Sequence, residues 1–247
     1  MPIQSPHPGW QERSIQLFGE EKHLKLSQSN VLVVGMGGVG SMAAEMICRS
    51  GVGKMTIIDG DTVQAGNLNR QIPALHSNLG QSKALMMGER LLDINPGLEL
   101  KVLNEFIKEE RIPEILNEPF DHVVDAIDTL SPKIYLIYHT LQAGLKLASS
   151  MGSGGKMDPA QVRITDFSKT YNCRLAYILR KKLRKMGVEG GFYTVFSPEQ
   201  VPKEMVVPVE GEPNKKSTVG TSSFIPAIFG CMLASVVIRE LVEKPVE

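Results

Sequence analysis

A glycine-rich turn near the N-terminus constrains the fold of this chain more than any other feature. The apolar run at residues 31–34 leads directly into GMGGVG at residues 35–40, and a helix-forming segment follows. A buried strand that ends in such a turn and continues as a helix is the setting in which G-x-G-x-x-G binds phosphate, because glycines let the main chain approach and the helix start offers N–H groups. The motif consists of Gly35, Gly37 and Gly40, with an additional Gly38. The turn predicts a nucleotide-phosphate site and by itself fits NAD and ATP equally.

Apolar strand-like runs alternate with helix-like segments through the first 150 residues. This order predicts an α/β, Rossmann-like fold with a mostly parallel sheet and helices on both faces. The predicted strands cover residues 31–34, 54–59, 98–106, 122–127 and 145–149. The predicted helices cover residues 13–25, 41–50, 80–95 and 132–143. We expect Leu85, Leu91, Leu92 and Ile94 on the apolar side of the third helix and Pro132 at the opening of the fourth.

The pattern changes after Met151. A strand over residues 161–167 and a basic helix over residues 175–186 are followed by a polar, proline-rich stretch at 201–217. No linker divides the chain, so we predict a single domain over residues 1–247. It comprises an N-terminal arm (1–28), a nucleotide-binding half (29–150) and a mixed-strand, substrate-facing and dimer-forming half (151–247).

Charge and cysteine content narrow the possible functions. The chain has 27 Lys and Arg residues against 27 Asp and Glu residues, so contact with nucleic acid requires a local basic patch. Cys48, Cys173 and Cys231 are scattered without a C-x-x-C pair, so no zinc site is expected. The same pattern indicates a reducing compartment, and we predict a cytoplasmic protein.

The longest apolar segment lies near the C-terminus, at residues 223–238. It is uncharged, but Pro226 and Gly230 interrupt it, and it is shorter than the ~20 residues that cross a bilayer. A buried core or dimer-interface helix is therefore the preferred interpretation, with membrane contact as the alternative. The N-terminus lacks the apolar core of a signal peptide.

Polar residues after the second predicted strand favour ATP over NAD. Asp59 ends that strand, where a carboxylate can bind ribose hydroxyls. Asp61, Asn67, Arg70 and Lys83 follow, and we expect these residues to bind the nucleotide. Enzymes that break a triphosphate use fixed cations to stabilise the charge of the transition state, whereas hydride transfer has no need of them.

A second acidic pair ends a later strand. Asp125 and Asp128 lie in VVDAIDTLSPK, at the carboxyl edge where ligands bind in open α/β sheets. One such carboxylate can hold Mg²⁺ together with phosphate oxygens and water. The alternative is that these residues cap the helix that follows.

Five motifs in this order resemble the ThiF/MoeB superfamily, which is related to ubiquitin-activating enzymes. They are GMGGVG (35–40), DGD (59–61), NLNRQ (67–71), GQSK (80–83) and DAID (125–128). The resemblance implies that ATP with Mg²⁺ is bound and that a substrate carboxylate is adenylated with release of pyrophosphate.

The same resemblance assigns roles to individual residues. Gly38 would approach the phosphates within the glycine loop, Asp59 would hold the ribose, and Asp128 would serve the metal. Phosphate contacts would come from Asn67, Arg70 and Lys83. The segment ERSIQLFGEE (12–21) resembles one in which an arginine enters the partner subunit's site, which implies a homodimer with Arg13 as an arginine finger.

The second half resembles the branch of this superfamily that dehydrates threonylcarbamoyladenosine in tRNA. The segments that carry this resemblance are SMGSGGKMDPAQVRITDFSKT (150–170), LAYILRKKLRK (175–185) and TVFSPEQ (194–200). This implies tRNA as partner and ATP-dependent cyclisation through an acyl-adenylate. The candidate RNA-binding residues are Arg174, Arg180, Lys181, Lys182, Arg184 and Lys185; the alternative is a solvated amphipathic helix.

Three other functions stay open at this point. The first is an adenylyltransferase that activates the C-terminus of a ubiquitin-like sulfur-carrier protein. The second is an NAD(P)-dependent oxidoreductase, and the third is a non-catalytic module that binds tRNA or membrane. A sulfur-transfer protein is a further possible partner, for which Cys173 is the candidate cysteine because polar and basic residues flank it.

Overall fold

The computed structural model describes residues 8–208 and 217–246. The main strands are β1 (Asn30–Val34), β2 (Lys54–Ile58), β3 (Glu99–Leu103), β4 (His122–Asp125), β5 (Leu147–Ser150), β6 (Arg163–Asp166) and β7 (Tyr193–Phe196). They form one seven-stranded sheet in the order β3-β2-β1-β4-β5-β7-β6. All neighbours are parallel except β6, which runs antiparallel to β7. The predicted Rossmann-like fold with a mixed second half is confirmed.

The strand order creates a crevice between β1 and β4. From β1 the chain continues to β2 and β3 on one side, and it then returns to β4 on the other. In the register of this pair, Val34 lies opposite Asp125, and Ala126 N donates to Val34 O at 2.9 Å. The glycine loop and the loop after β4 are therefore neighbours at the carboxyl edge, where open α/β sheets bind ligands.

Helices cover both faces of the sheet. They are α1 (Glu12–Phe18), α2 (Glu20–Gln28), α3 (Gly40–Arg49), α4 (Lys83–Ile94), α5 (Ile112–Leu116), α6 (Leu130–Gln142), α7 (Arg174–Arg184) and α8 (Phe224–Leu241). Val31 and Val33 of β1 join a core with α3, α4 and α8, whereas Leu32 and Val34 join a second core with α5, α6 and α7. Alternate residues of a strand point to opposite faces, which explains the two cores.

The predicted apolar side of the helix at 80–95 is partly wrong. The helix begins at Lys83, and Leu85 and Leu92 are exposed, whereas Leu91 is buried and Ile94 is half-buried. The buried face of the helix contains Met87, Gly88 and Leu91, and a Cβ on Gly88 would lie 2.8 Å from Val102 Cγ2 of β3. Close packing of the helix on the sheet therefore turns the two leucines outwards.

Two other helix predictions need correction at their N-terminal ends. The helix expected from Pro132 begins at Leu130, so the proline is its third residue. Proline is tolerated there because the N–H groups of a first helical turn have no partner within the helix. The helical region at 13–25 divides at Gly19, whose φ of 81° is unsuited to a helix. Residues 1–7 of the proposed arm lie outside the described residues.

Pro226 and Gly230 do not interrupt the C-terminal apolar segment. Pro226 lies in the first turn of α8, and a Cβ on Gly230 would lie 2.4 Å from Val39 O. Gly230 thus lets α8 pack closely on α3, which is its most extensive helix contact. Among the described residues, α8 is the one helix that is long and apolar enough to span a membrane, and 56% of it is buried.

A small pair of strands overlaps the polar stretch at 201–217. Strands β8 (Val206–Pro208) and β9 (Ser217–Val219) pair antiparallel. Residues 209–216 of this stretch lie outside the described residues. Neither this pair of strands nor α5 and β7 was predicted from sequence.

Candidate nucleotide-binding site

Two glycines make the turn from β1 into α3 possible. Gly35 has a φ of 95°, and a Cβ there would lie 2.9 Å from Ala126 O. A Cβ on Gly40 would lie only 1.7 Å from Gly35 O. No residue with a side chain fits at Gly40, so the motif is first a requirement of the turn that brings the α3 N-terminus to the sheet edge.

The other two glycines border the loop at residues 65–71. A Cβ on Gly38 would lie 3.0 Å from both Arg70 O and Pro226 Cβ, so protein atoms occupy the space next to it. A Cβ on Gly37 would lie 3.8 Å from Gln71 Nε2. Gln71 is 8% exposed, and its Oε1 has no hydrogen-bond partner within the described residues. A buried acceptor beside the glycine loop fits a site that takes a polar ligand.

Asp59 ties the end of β2 to the glycine loop. Its Oδ2 accepts a hydrogen bond from Met36 N at 2.6 Å, and its Oδ1 accepts one from Asp61 N at 2.7 Å. Burial raises the pKa of Asp59, although these bonds and nearby Lys83 oppose the rise. The structure therefore places the predicted ribose ligand beside the predicted phosphate loop, as an acceptor with lone pairs beyond those used by the main chain.

Lys83 and Asp61 form an ion pair at the start of α4. Lys83 Nζ lies 2.9 Å from Asp61 Oδ2, and Lys83 N donates to Asp61 O at 3.0 Å. The lysine side chain is 6% exposed, whereas that of Asp61 is 54% exposed. Asp61 thus holds a largely buried ammonium group in place, which gives it a positioning role in addition to its predicted contact with ligand.

The loop at residues 65–71 is fixed by its own side chains. Arg70 Nη1 donates to Gly66 O and Asn69 Oδ1, both at 2.8 Å. Asn67 Oδ1 accepts from Gln64 N at 3.0 Å, so this amide closes a local turn. Asn67, predicted to contact phosphate, has at least this structural role.

The two aspartates at the end of β4 and in the loop that follows lie in different environments. Asp125 is fully buried, and its Oδ2 lies 2.6 Å from both Lys133 Nζ and Ser149 Oγ. Asp128 is exposed in the loop before α6. Asp125 is therefore part of the core, whereas Asp128, the predicted metal ligand, lies at the surface of this loop. The burial of Lys133 and its ion pair with Asp125 were not predicted, because a lysine in the first turn of a helix usually faces solvent.

The loop after β5 contains another buried cation that was not predicted. Lys156 is 3% exposed, and its Nζ donates to Glu199 O at 2.6 Å. Burial lowers its pKa, and Cys173 lies near enough to affect it. Cys173 is itself only 7% exposed, so its surroundings are less polar than its sequence neighbours indicate.

The remaining candidates lie on helices. Arg13 is exposed on α1, which packs against α2, so its predicted role requires a partner subunit. On α7, Leu179 and Leu183 are buried. Arg180 is half-buried and donates to Thr170 Oγ1. The other basic residues of this region are exposed: Arg174, Lys181, Lys182, Arg184 and Lys185.

The glycine loop lies at the same edge of the sheet as Asp59, which is hydrogen-bonded to it, and Lys83, which is paired with Asp61. This arrangement defines a nucleotide-binding α/β protein. The chain belongs to the ThiF family, whose model matches residues 11–247. It is similar to the tRNA threonylcarbamoyladenosine dehydratase of Bacillus subtilis, with 38% identity over 233 residues that cover 92% of each chain. The dehydratase of Escherichia coli is 32% identical over 255 residues, which cover 95% of each chain. The crystal structure of E. coli TcdA in complex with ATP has a TM-score of 0.85 and 33% identity, covering 94% of this chain and 93% of that one.

Proposed function

We propose that this protein is an ATP-dependent tRNA threonylcarbamoyladenosine dehydratase. The observation that carries this proposal is similarity to such dehydratases over more than nine-tenths of both chains, including one with ATP bound. The geometry of the glycine loop, Asp59 and Lys83 supports nucleotide binding independently of this similarity.

The reaction removes one water from the modified nucleoside at the expense of ATP. The threonyl carboxylate attacks the α-phosphorus, and pyrophosphate leaves. The carbamoyl oxygen then attacks the activated carboxyl carbon, the carbamoyl group releases a proton, and AMP leaves with the former carboxylate oxygen. Because both groups belong to one substrate, proximity supplies much of the rate, and no enzyme nucleophile is required.

The protein contributes binding and charge stabilisation. The glycine loop and α3 N-terminus would receive the phosphates, and Asp59 would accept from ribose hydroxyls. Arg70 and Lys83 would stabilise the charge that develops on the leaving pyrophosphate. Mg²⁺ takes few protein ligands and keeps several waters, and exposed Asp128 suits that role.

A homodimer completes this proposal. Arg13 would enter the partner's nucleotide site, and the exposed cations near α7 would hold tRNA phosphates. A tRNA substrate agrees with the cytoplasmic location predicted from the cysteines. Within the described residues, α8 contacts α3 and strands of the sheet, which accounts for its apolar composition.

Pyrophosphate release tests the proposal against its rivals. The protein is incubated with ATP and Mg²⁺ together with tRNA carrying threonylcarbamoyladenosine, the same tRNA without the modification, or no tRNA. We expect tRNA-dependent release with the modified substrate alone. Pyrophosphate exchange that depends on a protein C-terminus would favour the sulfur-carrier adenylyltransferase, and binding of NAD without ATP turnover would favour the oxidoreductase.

A further inference from the structure

The outer face of α7 combines cations with an exposed aromatic ring. Arg174, Tyr177, Lys181 and Arg184 recur at helical spacing on the side opposite the buried Leu179, and we call these four residues the α7 stripe. Tyr177 is 62% exposed and lies between cations along the helix. At 1.5 Å per residue, the stripe extends for about 15 Å.

Within the described part of the chain, no acidic side chain forms an ion pair with the α7 stripe. The helix has five cations among its eleven residues and no acidic residue. The chain as a whole has equal numbers of acidic and basic side chains, so this surface is a local departure from neutrality. A polyanionic partner is the chemistry that such a surface fits.

The exposed aromatic ring of Tyr177 is not required for binding phosphates alone. An aromatic ring between cations is the arrangement that binds single-stranded nucleic acid, because a base stacks on the ring while the cations contact the backbone. Bases in duplex RNA are already stacked and are not available to such a ring. A second exposed aromatic, Tyr171, precedes the helix; its ring packs edge-on against Phe196, and its hydroxyl accepts from Arg163 Nη1 at 3.1 Å.

The α7 stripe begins where α7 packs on the loop that follows β5. A Cβ on Gly152 would lie 3.8 Å from Leu175 Cβ, so the first turn of α7 packs on the loop that follows β5. That loop leaves the same edge of the parallel sheet as the glycine loop after β1 and the Asp128 loop after β4. A polyanion held along α7 therefore has one end at the edge of the sheet that carries the proposed nucleotide site.

We propose that the α7 stripe binds an unpaired stretch of RNA, with one base stacked on Tyr177 and phosphates on Arg174, Lys181 and Arg184. This inference rests on the proposed function, because the RNA is the substrate tRNA. The ring of Tyr177 would recognise a single-stranded loop, whereas the basic charge of α7 by itself would fit a duplex equally well.

The test compares Tyr177→Phe with Tyr177→Leu in binding a hairpin RNA whose loop carries the fluorescent base 2-aminopurine. Phenylalanine keeps the stacking ring, whereas leucine keeps only apolar volume. We expect native protein and Tyr177→Phe to quench the fluorescence and bind with similar Kd, and Tyr177→Leu to lose the quenching and bind at least about fivefold more weakly. Binding of a blunt duplex should not distinguish the two variants. Because Tyr177 is exposed, both should keep the native circular dichroism spectrum.

Salt dependence tests the cations separately. Lys181→Gln should reduce the slope of log Kd against log salt by about one, since one phosphate contact is lost. Lys146→Gln is the matched control, because Lys146 is also exposed but precedes β5 at the opposite edge of the sheet. Its slope should equal that of native protein.

The binding assays contain no ATP, so they separate this inference from the proposed reaction. Loss of quenching in Tyr177→Leu supports the α7 stripe even if no dehydration is found. Equal quenching and equal Kd for native protein and Tyr177→Leu would overturn it even if the enzyme is active. Binding of an acidic protein with no binding of the hairpin would overturn it as well.

Discussion

Lys133 Nζ lies 2.6 Å from Asp125 Oδ2, and both side chains are completely buried. The pair also holds the turn that follows β4, because Lys133 donates to Ile127 O at 3.0 Å and Asp125 Oδ1 accepts from Ile127 N at 3.1 Å. Ala126, in the same turn, lies against Gly35 and Gly40 of the phosphate loop. A buried ion pair thus supports the floor of the proposed nucleotide site.

Lys133→Met should therefore destabilise the protein strongly. The change leaves the Asp125 carboxylate buried without its cation, for which we expect a loss of about 3–5 kcal/mol in the free energy of unfolding. Chemical denaturation measures this loss. The double variant Asp125→Asn, Lys133→Met should recover part of it, because no unpaired charge remains.

Lys101→Met is the control for the buried pair. Lys101 pairs with Glu118, and the two side chains are 50% and 38% exposed. Exposed pairs contribute about 0–1 kcal/mol, so this change should have little effect. Equal losses for Lys101→Met and Lys133→Met would show that burial of the ion pair has no special importance.

The affinity for ATP should depend on the ionisation of Asp59. Burial raises the pKa of this carboxyl, so its protonated form accumulates at a higher pH than for an ordinary aspartate. A protonated carboxyl is a poorer acceptor for ribose hydroxyls, so the affinity should be constant above the raised pKa and fall as the pH decreases through it. Calorimetric titration with ATP over a pH series measures this. The same pH dependence in Asp59→Asn as in native protein would contradict the assignment.

Lys83→Met should slow the chemical step more than it weakens ATP binding. Removing a group that stabilises transition-state charge costs about 100- to 1000-fold in kcat. Single-turnover pyrophosphate release gives this rate, and equilibrium titration gives the Kd of ATP. Lys54→Met is the control, since Lys54 forms an exposed ion pair with Glu99 at the start of β2. An unchanged rate in Lys83→Met would remove this residue from the mechanism.

Arg13 should act across a dimer interface. Arg13→Ala and Lys83→Ala homodimers are each expected to have low activity. In a twofold dimer, random exchange of subunits makes about half of the dimers mixed, each with one intact site, so activity should recover to about a quarter of the native value. Differently tagged subunits show whether exchange has occurred. If the exchanged mixture stays inactive, Arg13 does not complete the partner's site.

The sequence pattern predicted the strand–turn–helix core because its signals are local. The apolar run that ends at Gly35 and the helix predicted over residues 41–50 depend on residues close in the chain. The structure has the strand where it was expected and begins the helix one residue earlier, at Gly40. Asp59 and Lys83 were expected near this turn because parallel strands end at one sheet edge. The structure places Asp59 on Met36 N.

Long-range packing accounts for what sequence alone did not predict. Leu85 and Leu92 were expected to be buried, but Gly88 lies on the buried face of α4, close to Val102. The Lys133–Asp125 pair joins a helix to a strand, and neither residue type indicates full burial by itself. Tyr177 also had no local signal, because only the burial of Leu179 on the opposite face shows that its ring is exposed.

The mass of the modified nucleoside shows directly whether the protein dehydrates threonylcarbamoyladenosine. The protein is incubated with ATP, Mg²⁺ and tRNA carrying threonylcarbamoyladenosine, and the tRNA is digested and analysed by mass spectrometry under conditions that preserve a cyclic product. We expect loss of the mass of one water only when ATP is present, and little loss with Lys83→Met. An unchanged nucleoside mass with folded, ATP-binding protein would contradict the proposed function.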